Sequence, residues 1–221
     1  MGEGKTNTAT AILIDDYFAH ITHIVSPSGI SVPVAPYKLD LVKLLPQNGH
    51  KGEQPRIIKI PDNWMPISDT KLYTNYHLYG VKYVFCDHIT MLEYLNTGVI
   101  SRGKMVIDEG YIAGEARRSM NTLGLIYTWF AQQMRKRDIE LYLLVQHGRF
   151  IDWRFRYIAK QKILTRYNDK TYKIRLLVQN LSKGTEKIIP YYAPTYWKYF
   201  DTNELPPIPE KMIIKGAQWA H

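Results

Sequence analysis

Gly4, Lys5 and Thr6, close to the N-terminus, match the end of a pattern that binds phosphate. The complete pattern is G-x-x-x-x-G-K-[ST], in which backbone N–H groups of a Gly-rich turn surround the phosphates. Its lysine reaches the β- and γ-phosphates, and the hydroxyl after the lysine holds Mg²⁺. The first glycine of the pattern would lie before Met1. The sequence predicts that ATP and Mg²⁺ are bound by a turn made of Gly2, Glu3, Gly4, Lys5, Thr6 and Asn7.

A pair of carboxylates ends an apolar segment later in the chain. Met105, Val106 and Ile107 precede Asp108 and Glu109, so a predicted strand delivers both acidic groups to one end of a sheet. Ligands of parallel sheets bind at the C-terminal edge of the strands. We expect Asp108 to hold Mg²⁺ together with Thr6, and Glu109 to act as the general base for the attacking water. Hydrophobic-Asp-Glu is common by itself, so this interpretation depends on the phosphate-binding pattern.

Gln146 is a third candidate. It follows the predicted strand 139–145, which comes after the acidic strand in the chain. Because neighbouring parallel strands end at the same edge of a sheet, we expect Gln146 to lie beside Asp108. A neutral amide there could contact the γ-phosphate or orient water. The alternative is a polar residue that only ends the strand.

The order of the predicted elements favours a parallel sheet with helices on its faces. A helix over 8–19 follows the phosphate-binding turn, and residues 30–75, broken by six prolines, are interpreted as an insertion or a set of edge strands. The other predictions in this part of the chain are strands over 81–86, 104–109 and 139–145 and a long helix over 117–137.

After about residue 160 the pattern becomes that of antiparallel structure. Segments 163–167 and 171–178 alternate partly between polar and apolar side chains, and Asn168, Asp169 and Lys170 between them favour a turn. Residues 187–189 are a candidate third strand, and an aromatic, Pro-rich tail follows. We predict two regions: a core over 1–160, and a β-hairpin and tail over 161–221 that pack on it.

Together these motifs resemble the additional-strand P-loop ATPases, in particular viral DNA-packaging and DNA-pumping motors of the FtsK–HerA and terminase kind. Zonular-occludens-toxin-like phage proteins are similar in pattern. The resemblance implies an α/β fold, namely a parallel-sheet P-loop NTPase of the RecA or additional-strand type with a C-terminal β-hairpin appendage. It is carried by Gly4, Lys5 and Thr6 and by VIDE at 106–109, ARRS at 116–119, RKR at 135–137, LVQ at 144–146 and IDWR at 151–154.

Arginines are expected to complete such a site. A motor ATPase needs positive charge on the transferring phosphoryl group, often supplied by a neighbouring subunit. Arg117 and Arg118 follow the acidic pair and are the preferred candidates, with Arg135 and Arg137 as alternatives. This role implies a homo-oligomeric ring, a pentamer or a hexamer. Each arginine taken singly could instead belong to a salt-bridged helix surface.

The net charge of +9 favours an anionic partner, nucleic acid before membrane. Basic residues interleave with aromatic ones after Gln146, which suits phosphate contacts beside base stacking. An amphipathic element that buries one face would give the same alternation. The candidates for contact with double-stranded DNA are Arg149, Arg154, Arg156 and Lys160.

Three functions are compatible with these residues. The first is ATP-driven translocation of double-stranded DNA, as in viral genome packaging, with a capsid portal or vertex protein as a further partner. The second is a phage assembly or export ATPase of the zonular-occludens-toxin type. The third is a non-catalytic nucleic-acid-binding module with a defective nucleotide site. One cysteine and the lack of a run of about 18–20 apolar residues predict an intracellular protein without a membrane span, in the host cytoplasm during assembly or associated with the virion.

Overall fold

The computed structural model describes residues 4–34, 60, 63–87, 90, 93–94, 97–109, 129, 132–134, 136–148, 151 and 153–201. The chain divides into two compact units. We call the first the α1 unit and the second the parallel-sheet unit. The α1 unit comprises Met1–Leu72, Leu78–Tyr83 and Ile158–Thr202, and the parallel-sheet unit comprises Tyr73–His77, Val84–Tyr157 and Asn203–His221.

Helix α1, Lys5–Ala19, opens the α1 unit. It begins three residues before the predicted start at Thr8, at the lysine of the phosphate-binding pattern, and ends where predicted. Most of the side chains along this helix are small or apolar and are buried, and Leu13, Ile14 and Tyr17 are almost completely enclosed. The hydroxyl of Tyr17 donates to the backbone oxygen of Pro66 at 2.7 Å, which satisfies a polar group that would otherwise be costly to bury.

A three-stranded antiparallel sheet with the order β2-β1-β3 follows α1. The N–H of Gly29 donates to the oxygen of Ser26 in the turn after β1. Two short strands flank β1, so the described part of 30–75 does contain edge strands. The sequence also predicts a short extended piece over 56–60, of which only residue 60 is among the described residues. The strands are β1, Ile21–Val25, β2, Ser31–Pro33, and β3, Met65–Ser68.

A second three-stranded antiparallel sheet, with the order β10-β9-β8, belongs to the same unit. The predicted hairpin and third strand are both present. The first and third strands are longer than expected, and the second has the expected length but begins two residues later. Ile174 and Leu176 on the central strand are buried and form a small core with Ala193. We call this the hairpin sheet; it consists of β8, Gln161–Asn168, β9, Lys173–Asn180, and β10, Thr185–Tyr192, and is followed by a 3₁₀ helix, Ala193–Tyr199.

The parallel-sheet unit contains a four-stranded sheet with the order β5-β4-β6-β7. Its strands are β4, Leu72–Thr74, β5, Val84–Phe85, β6, Gly103–Ile107, and β7, Ile139–Leu143. Strand β4 is parallel to β5, and β6 is parallel to β7. A helix, α2, Trp153–Ile158, follows β7 in the chain. The core of the unit is formed by Tyr73, Cys86, Ile100, Met105, Ile107, Met134, Ile139 and Phe155.

Two details of this sheet differ from the sequence prediction. Strand β4 is an inner strand of the sheet, whereas the sequence places its residues in an irregular region. The strand has only three residues, which are too few to show an alternating pattern. The strand predicted over 81–86 is reduced to Val84–Phe85, and Val81 is buried without being part of a strand. Most of the predicted helix 117–137 lies outside the described residues, while Trp129, Lys136 and residues 132–134 are helical.

In the described part of the chain, no helix combines the length and the apolar character needed to span a membrane.

Asp15 of α1 contacts the 3₁₀ helix through Tyr196, whose hydroxyl lies 2.8 Å from Oδ1 and 2.9 Å from Oδ2 of the carboxyl group. Burial raises the pKa of Asp15 to about 6, against a smaller opposing effect of the Tyr196 hydrogen bond. A carboxyl group in an unfolded chain has a pKa of roughly 4. The folded protein therefore binds more protons than the unfolded chain between these two values, so its stability falls as pH rises.

We expect the free energy of unfolding to fall by at most about 3 kcal/mol between roughly pH 4 and 7 because of this group. Asp15→Asn keeps the acceptor for Tyr196 and removes the charge, so it should flatten this slope and stabilise the protein at pH 8. Urea denaturation from pH 4 to 8 measures the effect. Asp169→Asn, in the exposed turn after β8, is the matched control and should keep the wild-type slope. A wild-type slope in Asp15→Asn would contradict the assignment.

Candidate functional site

Gly4 stands directly before α1 in a left-handed conformation, with φ 77° and ψ 19°. Glycine adopts this conformation without steric cost, whereas a side chain would strain it. An added Cβ atom would also lie 2.7 Å from Cδ1 of Ile174 in the hairpin sheet. The backbone conformation therefore favours glycine at this position, and a side chain there would also have to displace Ile174.

The residues after Gly4 form the first turn of α1. The first intrahelical bond runs from the N–H of Thr8 to the oxygen of Gly4, at 2.9 Å. The N–H groups of Lys5, Thr6 and Asn7 precede it at the N-terminus of the helix, where the helix dipole favours an anion. No acidic side chain lies in this turn. Its geometry fits a phosphate group, while the predicted contacts Gly2 and Glu3 lie outside the described residues.

The side chain of Asn7 is buried and bound to the hairpin-sheet region. Its Nδ2 donates to the backbone oxygen of Ala193 at 3.2 Å, and its Oδ1 accepts from the hydroxyl of Tyr191 at 2.8 Å. The Tyr191 hydroxyl is also 3.0 Å from Oγ1 of Thr8. The side chain of Asn7 is thus bonded within the protein, and its predicted contact with phosphate stays a prediction.

Asp108 and Glu109 follow the last residue of β6. The amide of Asn75 fixes the Asp108 backbone, accepting from its N–H at 2.8 Å and donating to its oxygen at 2.9 Å. The N–H of Glu109 donates to Oδ1 of Asp108 at 2.8 Å. Glu109 has φ 53°, a conformation that costs energy for a residue with a side chain and is frequent at functional sites. The acidic pair is thus held in a defined turn at the end of its strand.

Gln146 lies at the same edge of the sheet as the acidic pair. Ile107 of β6 is paired with Leu143 of β7, and the next N–H, from Leu144, donates to the oxygen of Ile107 at 3.0 Å. Gln146 comes two residues later and is exposed. The parallel-sheet unit therefore carries Asp108, Glu109 and Gln146 at the C-terminal ends of two adjacent strands. Their roles in catalysis stay predictions.

Asn75 is the residue of this edge that the sequence analysis missed. It follows β4 directly and is almost completely buried, with 1% of its surface exposed. The available signal was a polar residue at the end of a short apolar segment. This signal predicts a contact with Asp108 only once β4 is known to lie next to β6.

The predicted DNA contacts are only partly described. Arg154 and Arg156 lie on α2, where Arg156 is exposed and Arg154 half-buried, and Lys160 is exposed just before β8. Trp153 and Tyr157, one helical turn apart, are 63% and 83% exposed. Arg149 lies outside the described residues, as do the candidate trans-acting Arg117 and Arg118.

A solved structure shares this arrangement of elements. The chain is similar in fold to the N-terminal domain of zonular occludens toxin from Neisseria meningitidis. The TM-score is 0.53 at 13% sequence identity, and the match covers 90% of this chain and 94% of that domain. No protein-family model and no curated protein matches the sequence. The predicted likeness to zonular-occludens-toxin-like proteins is confirmed at the level of the fold, and the relation to FtsK–HerA proteins and terminases stays a prediction.

Proposed function

We propose that the chain is a Mg²⁺-dependent ATPase of the P-loop type that acts in phage assembly. The observation that carries the proposal is the left-handed Gly4, followed at once by a helix whose first residues are Lys5 and Thr6. This is the local structure in which a phosphate-binding turn places its lysine and its hydroxyl. The fold shared with the N-terminal domain of zonular occludens toxin is consistent with this proposal.

The residues have distinct roles in the proposed reaction. The Lys5 ammonium binds the β- and γ-phosphates, and the N–H groups at the start of α1 bind phosphate oxygens. Thr6 and Asp108 would hold Mg²⁺, which neutralises phosphate charge when bound. Glu109 takes a proton from the attacking water, and Gln146 orients that water. Arg117 and Arg118 supply charge to a neighbouring subunit in a homo-oligomeric ring.

We further propose that the protein binds double-stranded DNA and uses ATP hydrolysis to translocate it. The exposed Arg156 and Lys160 could bind phosphates, and the exposed rings of Trp153 and Tyr157 could contact bases or sugars. The net charge of +9 is consistent with such a polyanionic partner. An assembly ATPase that acts on protein cargo is the alternative, and DNA stimulation of turnover distinguishes the two.

Lys5→Ala tests the nucleotide site. Loss of a charge-assisted contact worth roughly 1.5–3 kcal/mol should weaken Mg·ATP binding about 10- to 150-fold. Binding is measured by titration with a fluorescent ATP analogue, and turnover by phosphate release with and without double-stranded DNA. Lys183→Ala, in the exposed turn between β9 and β10, is the matched control. The proposal is wrong if the wild-type chain does not bind ATP, or if Lys5→Ala binds it equally well.

A further inference from the structure

The hairpin sheet is joined to the first turn of α1 by a small set of buried contacts. Tyr191, at the end of β10, reaches Asn7 and Thr8 with one hydroxyl group, at 2.8 and 3.0 Å. Ala193, at the start of the 3₁₀ helix, accepts from the Asn7 amide. Ile174 of β9 lies against Gly4. Three residues of this region, Ile174, Tyr191 and Ala193, therefore contact the segment that carries the phosphate-binding pattern.

Tyr191 makes two of these contacts through one side-chain group. Its hydroxyl donates to Oδ1 of Asn7, and its oxygen lies 3.0 Å from Oγ1 of Thr8. The single hydroxyl proton of Thr8 is donated either to this oxygen or to the oxygen of Gly4, which lies 2.8 Å away. Burial raises the pKa of Tyr191, so the phenol stays neutral and remains a donor. The ring also packs edge-on against Tyr196, with 5.7 Å between centroids, which fixes its direction. Tyr196 in turn donates to Asp15 further along α1, so the Tyr191 ring is held by a residue that is itself anchored to the helix.

These hydrogen bonds restrict the first turn of α1, which has the fewest hydrogen bonds within the helix. The first turn of a helix lacks intrahelical acceptors for its N–H groups and frays most easily. Asn7 is the last residue before the regular ladder begins, so a fixed Asn7 side chain fixes the backbone on both sides of it. A preordered turn binds a ligand without a further loss of conformational entropy.

We propose that Tyr191 is a positioning residue for nucleotide binding: through Asn7 and Thr8 it holds the Gly4–Lys5–Thr6 turn in the conformation that accepts phosphate. The hairpin sheet then contributes to nucleotide binding, because it carries the residue that orders this turn. This inference rests on the proposed ATPase function. Tyr191 contacts the helix and not the phosphates, so its removal should affect affinity more than the rate at saturation.

Tyr191→Phe removes the hydroxyl and keeps the ring. Loss of a hydrogen bond worth about 1 kcal/mol should weaken Mg·ATP binding about fivefold, with kcat at saturating ATP within about twofold of wild type. In the nucleotide-free protein, amide hydrogen exchange of a peptide covering residues 4–13 should become faster. Tyr192→Phe, the next residue and 52% exposed, is the matched control and should change neither measurement.

The outcomes separate this inference from the proposed function. If the wild-type chain binds ATP and Tyr191→Phe binds it equally well, the positioning role is wrong and the ATPase proposal stands. Faster exchange with unchanged affinity would likewise leave Tyr191 a purely structural residue. If the wild-type chain binds no ATP, the proposed function fails, and the exchange experiment then shows only whether Tyr191 orders the turn. Unchanged exchange in Tyr191→Phe overturns the inference in either case.

Discussion

Replacing Glu109 by glutamine is expected to stop ATP hydrolysis while leaving ATP bound. The substitution removes the proposed general base and preserves the size of the side chain. Loss of a general base typically lowers a rate by roughly 10²- to 10⁴-fold. The phosphate-binding turn at Gly4, Lys5 and Thr6 is untouched, so affinity for Mg·ATP should stay within about threefold of wild type, well under the loss of one charge-assisted hydrogen bond.

The experiment compares turnover by phosphate release with affinity by titration, on the same preparation. Glu93→Gln is the matched control, since Glu93 is exposed in the parallel-sheet unit and has no proposed role. A Glu109→Gln protein that retains more than a tenth of wild-type turnover would show that another group activates the water. Because φ at Glu109 is 53°, substitution by glycine would also relieve backbone strain, and glutamine avoids that complication.

Replacing Asn75 by alanine should have the largest effect on stability. The amide is almost completely buried and makes both bonds to the backbone of Asp108. Alanine leaves that N–H and oxygen without their side-chain partner and opens a small cavity. The expected loss in the free energy of unfolding is about 2–4 kcal/mol. Since Asp108 loses its fixed position, hydrolysis should fall as well, even at temperatures where the protein remains folded.

Asn75→Asp provides a graded comparison. Its carboxylate can still accept from the N–H of Asp108, but it repels the backbone oxygen that the Asn75 amide normally contacts. We expect at least the same loss of stability as in Asn75→Ala, with a pH dependence that the alanine variant lacks. Chemical denaturation of the three proteins at pH 5 and pH 8 makes the comparison. A loss below 1 kcal/mol in Asn75→Ala would contradict the role given to these two bonds.

The elements that sequence could predict are those whose signal is local. Helix α1 follows a recognisable phosphate-binding pattern, and β6 is an apolar run that ends in two carboxylates. The hairpin sheet was predicted because β8 and β9 alternate between exposed and buried positions and are joined by turn-forming residues. In each of these segments propensity, periodicity and tertiary contacts favour the same structure.

The elements that sequence could not predict depend on contacts between distant residues. Strand β4 has three residues and no period, and only its place beside β6 makes it a strand. Asn75 gains its role from that pairing, 33 positions away from Asp108. Asn7 looks like part of a phosphate-binding turn, yet its amide is bound to Tyr191, 184 positions away. No local pattern reports such pairs.

The close approach of Ile174 to Gly4 has a consequence for how this chain can be shortened. A fragment that ended at residue 160 would contain Gly4, Lys5 and Thr6 as well as the acidic pair. It would nevertheless lack Ile174, Tyr191 and Ala193, which cover and anchor the turn that starts α1. Truncation after residue 160 would therefore remove the residues against which the Gly4–Lys5–Thr6 turn packs.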